Sequence, residues 1–458
     1  MSSSIDFDRL LVSVLEENGP QIAPERVIEG PLAEARLMRQ RRPMLSALDR
    51  QAWPAPRLSM GNPHVARLVT AVLVGLLIIA MTALAVGVGS FILGNDATRH
   101  SGWTSAGTMS AARAGHSATV LADGTVLVAG GGNPYDPLAT AEIYDPASRM
   151  WRLTTEMNEA RASHTATLLL DGRVLVAGGL GFDTGQEGFD STLASAELYD
   201  PSTGAWTAAE PMLYPRSGAF AALLADGTVI LGGQHQGTST ELFDPVTGTW
   251  TLSGSMGYPR PGAAAALLTD GRVFVAGGHP PGLMSTATAE VYDPVSREWA
   301  SAAPMSSRSD VHTATLLPDG RVLVAGVPGT EAPNTAEVYD PSTDTWSQTG
   351  PMLFREGSHA AVVLNDGRVL VMGGSDRQQV EYGDGGADGG TIVSEAAVSI
   401  VQLYDPRTGA WSAVENLAGP RADGTAVVLT DGTVLLVGGV GTGEMLSSAE
   451  LFVPGDEP

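Results

Sequence analysis

HSATVLADGTVLVAGG, residues 116–131, decides the fold of this chain, because it returns as HTATLLLDGRVLVAGG at residues 164–179. Each copy is two short apolar runs joined by Asp-Gly. Runs of this length, rich in Val, Thr and Leu, read as strands, and Asp-Gly between them signals a tight hairpin with positive φ at both turn positions. The pair recurs at Asp123-Gly124, Asp171-Gly172, Asp226-Gly227, Asp270-Gly271, Asp319-Gly320, Asp366-Gly367 and Asp431-Gly432. In most copies the second run ends in two glycines, such as Gly178-Gly179 and Gly373-Gly374; the fifth departs, with Gly326-Val327. Periodic self-similarity of this kind is the mark of a repeat architecture.

Working outward, a third run follows each hairpin after a loop of variable length: AEIYDP, AELYDP, TELFDP, AEVYDP, AEVYDP, VQLYDP and, last, AELFVP. A short turn then leads to a tryptophan that opens a fourth strand, at Trp151, Trp206, Trp250, Trp299, Trp346 and Trp411. The seventh copy stops at Pro454 without its tryptophan, whereas Trp103 stands at the other end of the array with no third strand before it. The Trp103 strand is therefore expected to complete the last four-stranded unit, which removes two sheet edges and seals a ring.

Paired glycines, the Tyr-Asp-Pro strand end, the spaced tryptophan and a Met-x-x-x-Arg lead-in (Met109/Arg113, Met157/Arg161, Met212/Arg216, Met256/Arg260, and Met352/Arg355 one residue shorter) together resemble the kelch superfamily. The resemblance spans residues 103–454 and implies an all-β, seven-bladed kelch-type propeller closed by its N-terminal outer strand. It places the Asp-Gly and Tyr-Asp-Pro turns on one face and the variable loops with the Met-x-x-x-Arg connections on the other. No Trp-Asp pair ends a strand, which disfavours a WD-repeat propeller.

Upstream, Leu68 to Leu93 is free of charge (LVTAVLVGLLIIAMTALAVGVGSFIL) and long enough to span a bilayer with some tilt. Seven arginines lie between Arg36 and Arg67, and only Arg99 follows closely, so the positive-inside rule puts the N-terminus in the cytoplasm and the propeller outside. A cleaved signal peptide ending at Ala83-Leu84-Ala85 is the competing reading, opposed by the length of chain before the apolar run. The expected organisation is a partly helical cytoplasmic segment over residues 1–64, a transmembrane helix over 65–94, a linker over 95–102, the propeller over 103–454 and a tail over 455–458. The basic segment near the membrane serves topology in the simplest reading; a regulatory role is the alternative.

The chain of 458 residues carries a formal charge of −24. Through Leu93 there are 9 arginines against 8 acidic residues; from Gly94 onward there are 17 against 42, a balance of −25. A surface that negative opposes phosphate backbones, so nucleic acid is not an expected partner. Cysteine is absent, which removes disulfides, thiolate metal sites and thiol nucleophiles.

Function belongs on loops held by a rigid scaffold. Two long loops stand out: residues 180–195, with Phe182, Asp183 and Phe189, and 375–400, with Tyr382 and Asp384. Tyr214, Tyr258 and Phe354 precede Arg216, Arg260 and Arg355, and aromatics beside arginines suggest a platform for a peptide or sugar. The same arginines recur in every repeat, however, opposite a third-strand Glu (Gln402 in the sixth), so Arg–Glu pairing within the scaffold is the competing expectation. His116, His164, His312 and His359 are spread over four repeats and do not suggest one metal centre. The stretch from Asp384 to Asp388 offers carboxylates but lacks the alternation of an EF-hand loop.

Galactose oxidase-like members of the resembling superfamily use a copper site with a tyrosine cross-linked to cysteine, a cofactor this chain cannot build. With no phosphate loop or nucleophile–base constellation, no cofactor is expected. The expectation is a non-enzymatic module that recognises a protein or glycan on its loop-rich face. A carbohydrate-active propeller enzyme of another kind is the alternative.

Overall fold

The computed structural model describes residues 102–133, 136–182, 191–233, 237–280, 285–307, 313–326, 336–354, 357–381 and 391–455. The chain divides into two compact units, Met1–Asn95 and Asp96–Pro458. The first lies outside the described residues, and with it the expected cytoplasmic segment and the Leu68–Leu93 span.

The second unit is a seven-bladed all-β propeller. Blade 1 runs Ser117–Val120, Val126–Ala129, Ala141–Asp145 and Met150–Leu153, each strand antiparallel to the next. Five further blades repeat this order, and the remaining sheet is composite. Its strands Thr425–Val428, Val434–Val437 and Ser448–Val453 are joined at the outer edge by Gly102–Thr108, with Trp103 opposite Phe452 and Thr104 opposite Leu451. First strands of adjacent blades touch in an unbroken circle around the axis. These strands are built from Ala, Thr and Ser with few large residues, as the narrow centre requires. Second strands such as VLVA at 126–129 and 174–177 are wholly buried, because a sheet stacked between two others hides both faces. The core is accordingly seven apolar clusters, one in each gap between neighbouring blades.

The Asp-Gly hairpins differ from the expectation in one respect. Only the glycine takes positive φ, between 83° and 87° in all seven turns. Gly124 N–H donates to Leu121 O and Leu121 N–H to Thr125 O, which makes a three-residue loop with a bulge rather than a two-residue turn. The aspartate is selected for its side chain: Asp123 Oδ1 accepts from Thr125 N–H at 3.0 Å, and Asp171 and Asp226 repeat the bond.

Tryptophan and the Tyr-Asp-Pro strand form a cross-strand pair in each blade. Trp151 faces Tyr144, Trp206 faces Tyr199 and Trp411 faces Tyr404, with ring centroids 4.9 to 5.1 Å apart. Most of these indoles also reach back one blade. Trp151 Nε1 donates to Ala106 O, Trp250 to Glu210 O, Trp346 to Ala303 O and Trp103 to Glu415 O, at 2.7 to 2.9 Å. Trp299 and Trp411 use threonine hydroxyls, Thr240 and Thr349, for the same purpose.

Candidate functional site: the loop-rich face

The connections between blades pack beside the loops that follow the paired glycines. Met157 N–H donates to Ala139 O and Arg161 N–H to Leu138 O; Met212 and Arg216 bond Ala194 and Leu193 in the same way. Both sets of segments therefore share one face, opposite the Asp-Gly turns.

Beneath that face, the lead-in arginines are structural. Arg113, Arg161, Arg216 and Arg260 are fully buried, and Arg421 nearly so. Each pairs with the third-strand glutamate of its blade: Glu142 at 2.8 Å, Glu197 at 3.1 Å, Glu241 at 2.9 Å, Glu290 at 2.8 Å and Glu450 at 3.0 Å. Burial lowers each guanidinium's pKa, and the paired glutamate opposes that shift. The glutamates turn their remaining lone pairs to the connection itself: Ser110 N–H donates to Glu142, Asn158 N–H to Glu197, Leu213 N–H to Glu241 and Ser306 N–H to Glu337. This corrects the assignment of Arg216 and Arg260 to an exposed binding platform. Their charges are spent internally, and no ligand can reach them.

The paired glycines belong to the same device. The first glycine's carbonyl accepts from the arginine of its own blade, as Gly130 O does from Arg113 Nη1 at 2.8 Å. The second glycine's N–H donates to the backbone carbonyl of the next blade's arginine, Gly131 to Arg161 and Gly179 to Arg216. A Cβ on Gly130 or Gly178 would stand 2.5 or 2.4 Å from that neighbouring carbonyl, so the blades could not close up around any other residue. Sequence reasoning missed this role, because its partner lies one repeat away.

Two residues beyond Arg113, Arg161, Arg216, Arg260 and Arg421, and three beyond Arg355, a left-handed residue begins the approach to the channel. Gly115, Ser163, Gly218, Gly262, Ser358 and Asp423 have φ between 52° and 69°. They are stitched across blades by backbone bonds: Ser163 N–H to Gly115 O, Gly218 to Ser163, Gly262 to Gly218, and Asp423 to Ser358. Histidine follows in three described blades. His164 Nε2 shares a 2.9 Å hydrogen bond with Ser117 Oγ of blade 1, and His359 Nε2 a 3.0 Å bond with Thr313 Oγ1 of blade 5. Desolvation first, then the neighbouring arginine, drives the His116 and His164 imidazoles down to about 3. These histidines are neutral seam fillers at physiological pH.

The face exposes several large apolar side chains. Phe182 is 58% exposed, Tyr214 45%, Tyr258 50% and Phe354 43%, and Leu213 and Leu353 stand beside two of them, also exposed. They ride on blades 2, 3, 4 and 6. Asp183, Phe189, Arg355, Tyr382 and Asp384 lie outside the described residues. From blade 6 a two-stranded hairpin, Ser375–Glu381 with Thr391–Ala397, leaves this face in full register. Among the described residues, no three His, Asp or Glu side chains converge on a point that could hold a metal. Since the chain also lacks cysteine, its donor set does not fit a cysteinyl-tyrosine copper centre.

The kelch motif matches residues 112–158, 161–213 and 260–306. No curated protein matches the sequence. Among solved structures, the chain is similar to a novel fungal alcohol oxidase with catalytic diversity among the AA5 family, in complex with copper. The identity is 18% and the TM-score 0.59, over 77% of this chain and 76% of that one. It also matches the structure of YjhT, at 12% identity and a TM-score of 0.47, over 76% of this chain and 97% of that one. At such identity the oxidase likeness speaks to fold alone. Three kelch motifs on a ring of seven four-stranded blades make this chain a kelch-type β-propeller.

Proposed function

We propose that this chain is a membrane-anchored recognition module, held by a helix over Leu68–Leu93 with its N-terminus cytoplasmic and its propeller outside. It binds a protein or glycan on the loop-rich face and performs no chemistry on it. The strand Gly102–Thr108 closes the ring of the propeller.

One observation carries the reading: Phe182, Tyr214, Tyr258 and Phe354 are half-exposed on a single face, above arginines whose charges are already neutralised. Aromatic side chains give large contact area at low entropic cost, which is how rigid scaffolds present binding surfaces. The test is capture of protein or polysaccharide by the full-length chain, compared with a Tyr214→Ser/Tyr258→Ser/Phe354→Ser variant. The reading expects capture that falls at least about tenfold in the variant, one 1.4 kcal/mol step. Capture indifferent to all three exchanges refutes the platform, and turnover of a sugar refutes the non-enzymatic reading. Protease accessibility of the propeller on intact cells tests the orientation.

A further inference from the structure

We propose that the loop-rich face takes an extended polypeptide segment in which basic side chains are interspersed with apolar ones, and not a sugar. The proposal rests on the recognition reading and deepens it by naming the partner's chemistry at the same aromatic site. Six large apolar side chains stand out from the blade connections and the long loop of blade 2: Phe182, Leu213, Tyr214, Tyr258, Leu353 and Phe354, each 41 to 58% exposed. Clustered apolar area of this kind marks a contact for another apolar surface. Part of it is fixed in advance. Gly262 N–H donates to Gly218 O, which ties the connection carrying Tyr258 to the one carrying Tyr214 and leaves less to be ordered on binding.

The polar groups at these positions select against a sugar. Backbone donors of the connections are taken up inside the fold: Leu213 and Tyr214 N–H by Glu241, Gly257 N–H by Glu290, and Leu353 N–H by Gln402. A pyranose needs both donors and acceptors for its hydroxyls, and the aliphatic Leu213 and Leu353 offer neither. A leucine or phenylalanine of a partner chain asks only for apolar area, which the six side chains supply.

Charge decides the other half of the partner. The chain has no lysine. The lead-in arginines beneath this face are buried and paired with their glutamates. Arginines that reach solvent, Arg173, Arg272, Arg297, Arg321, Arg368 and Arg407 among them, ride on the Asp-Gly and Tyr-Asp-Pro turns of the opposite face. Among the described residues outside the blade 6 hairpin, no arginine reaches solvent on the loop-rich face, whereas Glu156, Glu210, Asp423 and Glu444 do. Glu210 leads directly into the connection that carries Leu213 and Tyr214. The apolar cluster is thus edged by carboxylates with no exposed cation beside them. A basic segment is drawn to it, and an acidic one is repelled by the face and by the balance of −25 from Gly94 onward. A second copy of this chain carries the same negative balance and does not fit.

The full-length chain, in micelles of an uncharged polyoxyethylene detergent with empty micelles as reference, is titrated calorimetrically with three peptides: four repeats of Arg-Leu-Ser, of Glu-Leu-Ser or of Arg-Ser-Ser. The Arg-Leu-Ser peptide is expected to bind with a dissociation constant on the order of 0.1 mM, and the other two at least about tenfold more weakly. Leu213→Ser/Leu353→Ser should weaken it about tenfold, and Glu156→Gln/Glu210→Gln about fivefold. Asp293→Asn/Glu298→Gln removes the same charge from the Tyr-Asp-Pro end of blade 4 and should change the constant less than about twofold. Asparagine keeps the acceptor that Val295 N–H needs in that turn. The proposal is overturned if the Glu-Leu-Ser or Arg-Ser-Ser peptide binds as tightly, if the blade 4 variant loses as much as the Glu156→Gln/Glu210→Gln variant, or if no peptide binds. Polysaccharide capture that depends on Tyr214, Tyr258 and Phe354 while no peptide binds overturns the peptide and leaves the recognition reading standing; absence of any capture overturns both.

Discussion

A lead-in arginine buried without its glutamate would be an uncompensated charge in a low-dielectric interior, which is why every described arginine of this class has one. Glu241→Gln keeps the shape and removes the charge. Breaking a buried pair by removing one partner costs about 3 to 5 kcal/mol, so its denaturant midpoint should fall accordingly; an unchanged midpoint would mean that Arg216 is not held as described. The histidines make the second residue-scale prediction. The folded pKa of His116 and of His164 is depressed from 6.5 to about 3, so the neutral form is the one that fits. Their contribution to stability is intact above pH 6.5 and is lost as pH falls toward 3, by about 1.4 kcal/mol per histidine per pH unit. Melting temperature should therefore drop between pH 6.5 and 4.5, and His116→Gln/His164→Gln should flatten that slope. Repetition made the Arg–Glu pairing legible in sequence, since seven cations in a ring need counter-charges. It could not say that these arginines are out of a ligand's reach, because the same residues sit beside exposed tyrosines in the chain. Nor could it find the glycine-to-arginine clamp, whose two halves belong to different repeats.

Among elements, the fourth strands hold the blades to one another at the periphery, where the propeller is widest and first strands no longer touch. The indole N–H bonds make this measurable. Trp346→Phe removes a 2.7 Å bond to Ala303 O and leaves that carbonyl without its donor, whereas the Trp206 N–H has no acceptor among the described residues. Trp346→Phe should cost about 1 kcal/mol more than Trp206→Phe in urea unfolding; equal costs would reduce the indoles to packing alone. Strand order, turn positions and the two faces follow from the spacing of Asp-Gly, Gly-Gly and Tyr-Asp-Pro. The hairpin geometry was misjudged because Asp-Gly suits two turn types, and the carboxylate-to-amide bond that decides between them is not visible in a residue pair. The loops resist such reading for a different reason: their lengths and compositions obey no repeat, so no copy informs another. Of the aromatic positions, Tyr214, Tyr258 and Phe354 were found from the lead-in motif and Phe182 from its long loop.

For the whole molecule, the closed circle underlies the rest. It gives the face its rigidity and brings the strand Gly102–Thr108 into the last blade. The native chain has no cysteine, so an introduced pair reports without interference. Thr108 and Ser448 are directly opposed in the register of the closing strands, close enough for a disulfide once both are cysteine. Oxidation of the full-length Thr108→Cys/Ser448→Cys variant should give an intramolecular cross-link, seen as a faster-migrating monomer on non-reducing gels and a raised melting temperature. Free thiols, or cross-links between two chains, would contradict closure of the ring by its own N-terminal strand.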